Sequence, residues 1–232
     1  GVAFSMTHQW SYDISRGGST TATTSANQLP TGDHLRQLSS FSGWLDYNPT
    51  AWLTIAAGDF LRTVHPSLRV VATEALQCPT LYQLGFGGHR IEGIGDKHVT
   101  WIHHVTNMDG LACIDDMECL RINHVFSHAV GKAVMMKDYG LSSEQAETIS
   151  NIFGISGICN LLGAIKTARH YGMGKKDALI VFATDSLERY HSVMDHMEQS
   201  HGPLNEVGVH ARIGGILRHQ KTDWFMDGTP EA

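Results

Sequence analysis

Hydrophobic positions along the chain fall into short β-branched runs and longer stretches with helical spacing. Residues 68–73 form a β-branched run long enough for one buried strand, and residues 179–183 form a second. Residues 99–105 and 111–114 are shorter β-prone runs, and 52–54 reads as a strand leading into a helix. That helix is expected over 55–64 and is closed by His65-Pro66, because a residue before proline is pushed out of the helical region. Leu35, Leu38, Phe41 and Leu45 share one face of a short helix expected over 34–45. Asp115-Asp116 caps a helix expected over 117–134, since carboxylates there accept orphan amide bonds. Ser142 and Ser143, with Glu144 and Glu147, start another. Residues 157–170 read as a buried helix stopping at Gly172, and 186–197 as a helix after the 179–183 strand. Helices alternating with hydrophobic runs predict an α/β domain, a parallel sheet flanked by helices, with its site at strand C-terminal ends. Gly85, Gly87, Gly88, Gly93 and Gly95 follow the 68–73 run, where positive φ or close backbone approach to a ligand is expected.

The first 32 residues break this pattern. They are rich in Ser, Thr, Gly and Asn, with Asp13 and Arg16 the only Asp, Glu, Lys or Arg before Asp33. Such a stretch buries too little apolar surface to offset its ordering entropy, so it needs tying down, with Trp10 and Tyr12 as anchors. The expected division is an irregular N-terminal arm over 1–45, an α/β domain over 46–200 and a C-terminal tail over 201–232. The 222–226 stretch of that tail looks amphipathic and reads as a contact.

Composition narrows the function classes. A chain of 232 residues with 42% hydrophobic content can bury one substantial core. A net charge of −6 argues against nucleic acid, which needs a concentrated basic face. No run of about 18 apolar residues is present, so no spanning helix is expected. The charged share, 17%, is somewhat low, which solubility tolerates and which can also mean surface buried against partners. Cys78, Cys113, Cys119 and Cys159 lack a C-x-x-C pair and read as buried thiols. The adjacent His103-His104 point apart, and no helix-spaced histidine pair with a carboxylate is evident, so no metal site is expected. The chain opens at Gly1 rather than methionine, which reads as a removed leader or as trimming.

Val70-Val71-Ala72-Thr73-Glu74, followed by His89-Arg90-Ile91-Glu92-Gly93-Ile94-Gly95, resembles the cysteine synthase family of pyridoxal-phosphate enzymes, which share the tryptophan synthase β-subunit fold. The resemblance continues through Asp115, Gly154-Ile155-Ser156-Gly157 and 183–190, covering roughly residues 55–190. It implies a partial fold of that type, with the Gly-Ile-Gly loop bordering cofactor and substrate. It also implies three requirements: a Schiff-base lysine, a phosphate-holding nest of amides, and a partner for the pyridine nitrogen. The family's lysine lies upstream of the 68–73 strand, yet the first lysine here is Lys97. The phosphate loop position reads Thr50-Ala51-Trp52-Leu53-Thr54, where Trp52 and Leu53 would crowd the nest and Thr54 leaves one donor. Ser186 matches the family serine on the pyridine nitrogen, though a helix-capping role is the expectation from the residues alone.

With two of three requirements unmet, the expected function is a catalytically inactive cysteine synthase-like subunit of a larger protein assembly. The expected location is mitochondrial, otherwise cytoplasmic. The catalytic set is expected to be empty, with Thr54, Gly93, Gly95 and Ser186 as vestigial cofactor positions and no cofactor. The alternatives are a pyridoxal 5'-phosphate-dependent lyase or transferase using Lys97, Lys132, Lys137 or Lys166, or one completed by a partner chain. A sensor lined by Asp96, His98 and His103 is a third.

Overall fold

A computed structural model describes residues 60–85, 87–92, 94, 99, 105–183 and 185–228. Within them a three-stranded sheet is ordered β1 (Val71–Ala75), β2 (Gly110–Ile114), β3 (Phe225–Asp227). β1 and β2 run parallel, with Thr73 opposite Ala112, and β3 pairs antiparallel to β2, with Phe225 opposite Ala112. The sheet is therefore mixed rather than parallel. The 222–226 stretch supplies the extra strand, because its turn at Trp224 folds it back along β2. β2 is buried at all five positions, as a central strand covered on both faces must be.

Residues 60–64 are helical and stop at His65, as the following Pro66 requires. After β1 comes a single helical turn, α1 (Thr80–Gln83). The segment expected as one helix over 117–134 is two: α2 (Asp116–Ser127) and α3 (Ala129–Tyr139), broken at His128, whose φ of −78° and ψ of 142° are extended. Asp115 caps α2 through bonds from the Met117 and Glu118 amides. Ser142 opens α4 (Ser143–Ile152) with a capping box closed by Gln145. α5 (Ile155–His170) lies against β1 and β2, and α2 packs on α5. The last helices are α6 (His191–His201) and α7 (Glu206–Arg212), followed by a π-helical turn, Ile213–Arg218.

The core gathers between these layers around Leu120, Ile122, Ile155, Ile158 and Leu162, with Val209 from α7 also fully buried. All four cysteines are buried. None of the helices among the described residues is long and apolar enough to cross a membrane.

The 179–183 strand does not form. Leu179 and Ile180 are exposed, and the Phe182 carbonyl accepts from the Asn160 side chain at 3.0 Å rather than from a neighbouring strand. Strand propensity needs a partner edge, and α5 supplies a side chain there instead. The expected helix over 186–197 is likewise split into a 310 turn, Leu187–Arg189, and α6. The expected elements over 34–45 and 52–54, most of the 99–105 run and the N-terminal arm lie outside the described residues.

Candidate functional site

Glu74, next to last in β1, is buried, and its carboxylate is turned toward α1 and β2. Its carboxylate accepts from the Leu81 and Tyr82 amides of α1, at 3.0 and 2.9 Å, and from the Cys113 thiol at 3.6 Å. Burial, and then Glu74 itself, push the Cys113 thiol up to about 12, so it stays protonated and inert. The glycine-rich loop that follows is pinned over the start of α2. The Arg90 amide donates to the Asp116 carboxylate at 2.8 Å, and the Asp116 amide donates to the Gln77 side chain at 3.1 Å. Gly85, Gly87 and Gly88 do not use positive φ. Gly87 is required instead by packing, since a Cβ there would lie 2.3 Å from the Gln77 carbonyl oxygen.

Two further segments, far apart in sequence, meet at the start of α5. The Gly154 amide donates to the Asp185 carbonyl at 2.8 Å, and the Ser156 hydroxyl donates to the Asp185 carboxylate at 3.0 Å. Tyr190 also donates its hydroxyl to that carboxylate. A Cβ on Gly154 would lie 2.2 Å from an Asp185 carboxylate oxygen, so only glycine permits the joint. Burial first, then Asp185 and the Glu92 carboxylate, push the Tyr190 hydroxyl well above the ordinary phenol range. Glu92 belongs to the glycine-rich loop, and its charge acts on that phenol without a hydrogen bond to it.

Ser186 stands beside this joint, half-buried, at the head of the 310 turn. Its hydroxyl makes no capping bond, contrary to the capping expectation. Thr54, Gly93 and Gly95 lie outside the described residues, as do Lys97, Asp96, His98 and His103.

The lysines named from sequence are committed elsewhere. Lys166 is buried in α5 and donates to the Cys113 carbonyl at 2.7 Å and the Asp223 carbonyl at 2.8 Å. Burial holds its pKa below the ordinary lysine range. Lys132 pairs with Glu147 at 2.7 Å, and Lys137 is exposed near Glu206 at 3.8 Å.

One cluster was missed from sequence. His124 and His128 are four apart at the α2–α3 break, and Glu198 of α6 brings its carboxylate to them. The oxygen lies 3.4 Å from His124 Nε2 and 2.8 Å from His128 Nε2. The histidine spacing was visible; the carboxylate, arriving from another helix, was not. Two histidines and a glutamate are a plausible donor set for zinc. The other ring nitrogens oppose it. His124 Nδ1 faces Arg212 Nη1 at 3.0 Å and His128 Nδ1 accepts from the Val130 amide at 3.1 Å. Arginine and an amide can only donate, so each neutral ring carries its proton on Nε2, where a metal would need the lone pair.

No protein-family model matches the chain, and no curated protein does. Among solved structures it is similar to a hydrogen sulfide-producing enzyme from Fusobacterium nucleatum, at 22% identity and a TM-score of 0.46, over 68% of this chain and 40% of that one. A mutant of the same enzyme in complex with an α-aminoacrylate intermediate, in lysine-dimethylated form, is similar at 18% identity and a TM-score of 0.46, over 75% of this chain and 42% of that one. The chain thus spans about two fifths of the length of the solved structures it matches.

Proposed function

We propose that the chain forms one wall of a pyridoxal-phosphate-type site and is completed by residues that another chain supplies. The observation that supports this is the joining of the 154–157 and 185–190 segments through Asp185, with the Ser186 hydroxyl left out of capping. The described residues fit one part of the cofactor: Ser186 would meet the pyridine nitrogen. The cofactor, when bound, supplies an electron sink for bonds at a substrate carbon. Lys132 and Lys166 do not fit the covalent role, because an ion pair and two carbonyls hold their ammonium groups. Ser156 and Tyr190 keep Asp185 turned inward, which fixes the backbone that presents Ser186.

The same lysine assignments favour a second reading, a catalytically inactive cysteine synthase-like accessory subunit of a larger assembly. Titration of the native protein, isolated with whatever chains accompany it, with pyridoxal phosphate, followed by absorbance and Tyr and Trp fluorescence, separates the two. Saturable binding weakened several-fold in Ser186→Ala supports the incomplete site. Absence of saturable binding, or binding indifferent to Ser186→Ala, removes it in favour of the accessory subunit.

A further inference from the structure

The His124–His128–Glu198–Arg212 cluster joins four helices and has no part in the site described above. His124 sits in α2, 2% exposed, and His128 ends α2 and begins α3. Glu198 comes from α6 and Arg212 from the end of α7. His124 Nε2 and the buried Glu198 oxygen, 3.4 Å apart, make no well-formed hydrogen bond. What the rings do instead is accept. His124 takes an Arg212 N–H, which ties α7 to α2, and His128 takes the Val130 N–H, which caps α3.

Accepting at Nδ1 is possible only while that nitrogen is bare. A protonated imidazole carries hydrogen on both nitrogens, so protonation sets N–H against N–H at both contacts. The charged groups facing His124 are Arg212 on α7, Glu198 on α6 and His128 on its own helix end. Glu198 favours the proton, while burial, Arg212 and His128 oppose it. The balance holds the ring below the ordinary imidazole range.

We propose that the cluster is a proton-operated latch: with both rings neutral, α7 is bolted to α2 and α3 is capped, and one proton added to His124 expels Arg212 and frees α7. Glu198 lies within reach of both rings and receives the new imidazolium, so the proton has a counter-charge once Arg212 has left.

Asparagine mimics the Nδ1 side of histidine, since its amide oxygen can accept the same bond without titrating, and it is also a good N-cap. The test is hydrogen exchange on the full chain from pH 7.5 to 5, corrected for intrinsic rates, in wild type and in His124→Asn/His128→Asn. Protection of the α7 amides should fall in the wild type by up to about tenfold per pH unit between about 6.5, where an imidazole in the opened state takes its proton, and the lowered folded pKa, the slope of one proton taken up. The α4 amides should keep theirs, and the double variant should lose the α7 response. A wild type without the α7 response, or a double variant that retains it, overturns the latch. Ring nitrogen NMR of the wild type at pH 7.5 tests the premise without any substitution. Nε2–H tautomers on both rings are expected. Nδ1–H tautomers, or a 1:1 zinc complex displacing the Nε2 protons, would overturn it in favour of a metal site.

Discussion

Ser156 donates its hydroxyl to Asp185 across 29 residues of sequence, at 3.0 Å, and this bond ties the first turn of α5 to the segment that carries Ser186. The Gly154 amide reinforces the tie from the backbone. The joint therefore places the 154–157 and 185–190 segments side by side.

Removing the hydroxyl tests the joint. Ser156→Ala should cost about 1 kcal/mol of unfolding free energy, the usual net value of one such bond. Urea denaturation measures it. An unchanged midpoint would mean that the Tyr190 and backbone bonds hold Asp185 without Ser156.

Lys166 is a bolt rather than a nucleophile, since its ammonium holds the carbonyls of Cys113 in β2 and Asp223 just before β3. Lys166→Met keeps the aliphatic volume and leaves both carbonyls without that donor. It should destabilise by about 2 kcal/mol or more, the desolvation cost of unsatisfied buried acceptors. Exchange of the β3 amides should rise with it. Wild-type protection in β3 would contradict the assignment.

Gly131, in the first turn of α3, lets the chain fold back after the break at His128. A Cβ there would lie 1.8 Å from the Val125 carbonyl oxygen. Gly131→Ala should therefore cost about 1–3 kcal/mol, as overpacking against backbone does, despite alanine's better helix propensity. A stabilised variant in thermal denaturation would show that the two helices can straighten into the single helix predicted from sequence.

Stability should also depend on pH through His124. Its folded pKa is lowered, by burial first and by Arg212 next. In the unfolded chain a histidine takes its proton near about 6.5, so below that pH the unfolded state binds more protons than the folded one. The contribution is full above that value and is lost as pH falls toward the folded pKa. Urea midpoints measured from pH 7.5 downward should fall less steeply in His124→Asn than in the wild type. Equal slopes would show that His124 carries no such linkage.

Local signals were the most legible in sequence. Asp115 and Ser142 cap their helices as expected, because a cap is read from side chains within one turn. β1 and β2 were legible because each is a hydrophobic run too short to be a helix. The stretch over 179–183 has the same local character, yet Asn160 occupies the Phe182 carbonyl and no ladder forms among the described residues. The α2–α3 break was hidden for a related reason. His128 interrupts a continuous apolar pattern through its own extended backbone and a ring bond to Val130. The candidate site was legible as separate motifs, but the meeting of the 154–157 and 185–190 motifs at Asp185 depends on the placement of α5, which neither motif announces. Lys166 read as a candidate Schiff-base lysine, and only its two carbonyl partners show otherwise.

The most direct test of the incomplete-site account is borohydride reduction of the native protein, isolated with whatever chains accompany it, after equilibration with pyridoxal phosphate, followed by peptide mapping of every chain. The account predicts one reduced pyridoxyl-lysine, on an accompanying chain. A label on Lys132, Lys137 or Lys166, or no label on any chain, would contradict it.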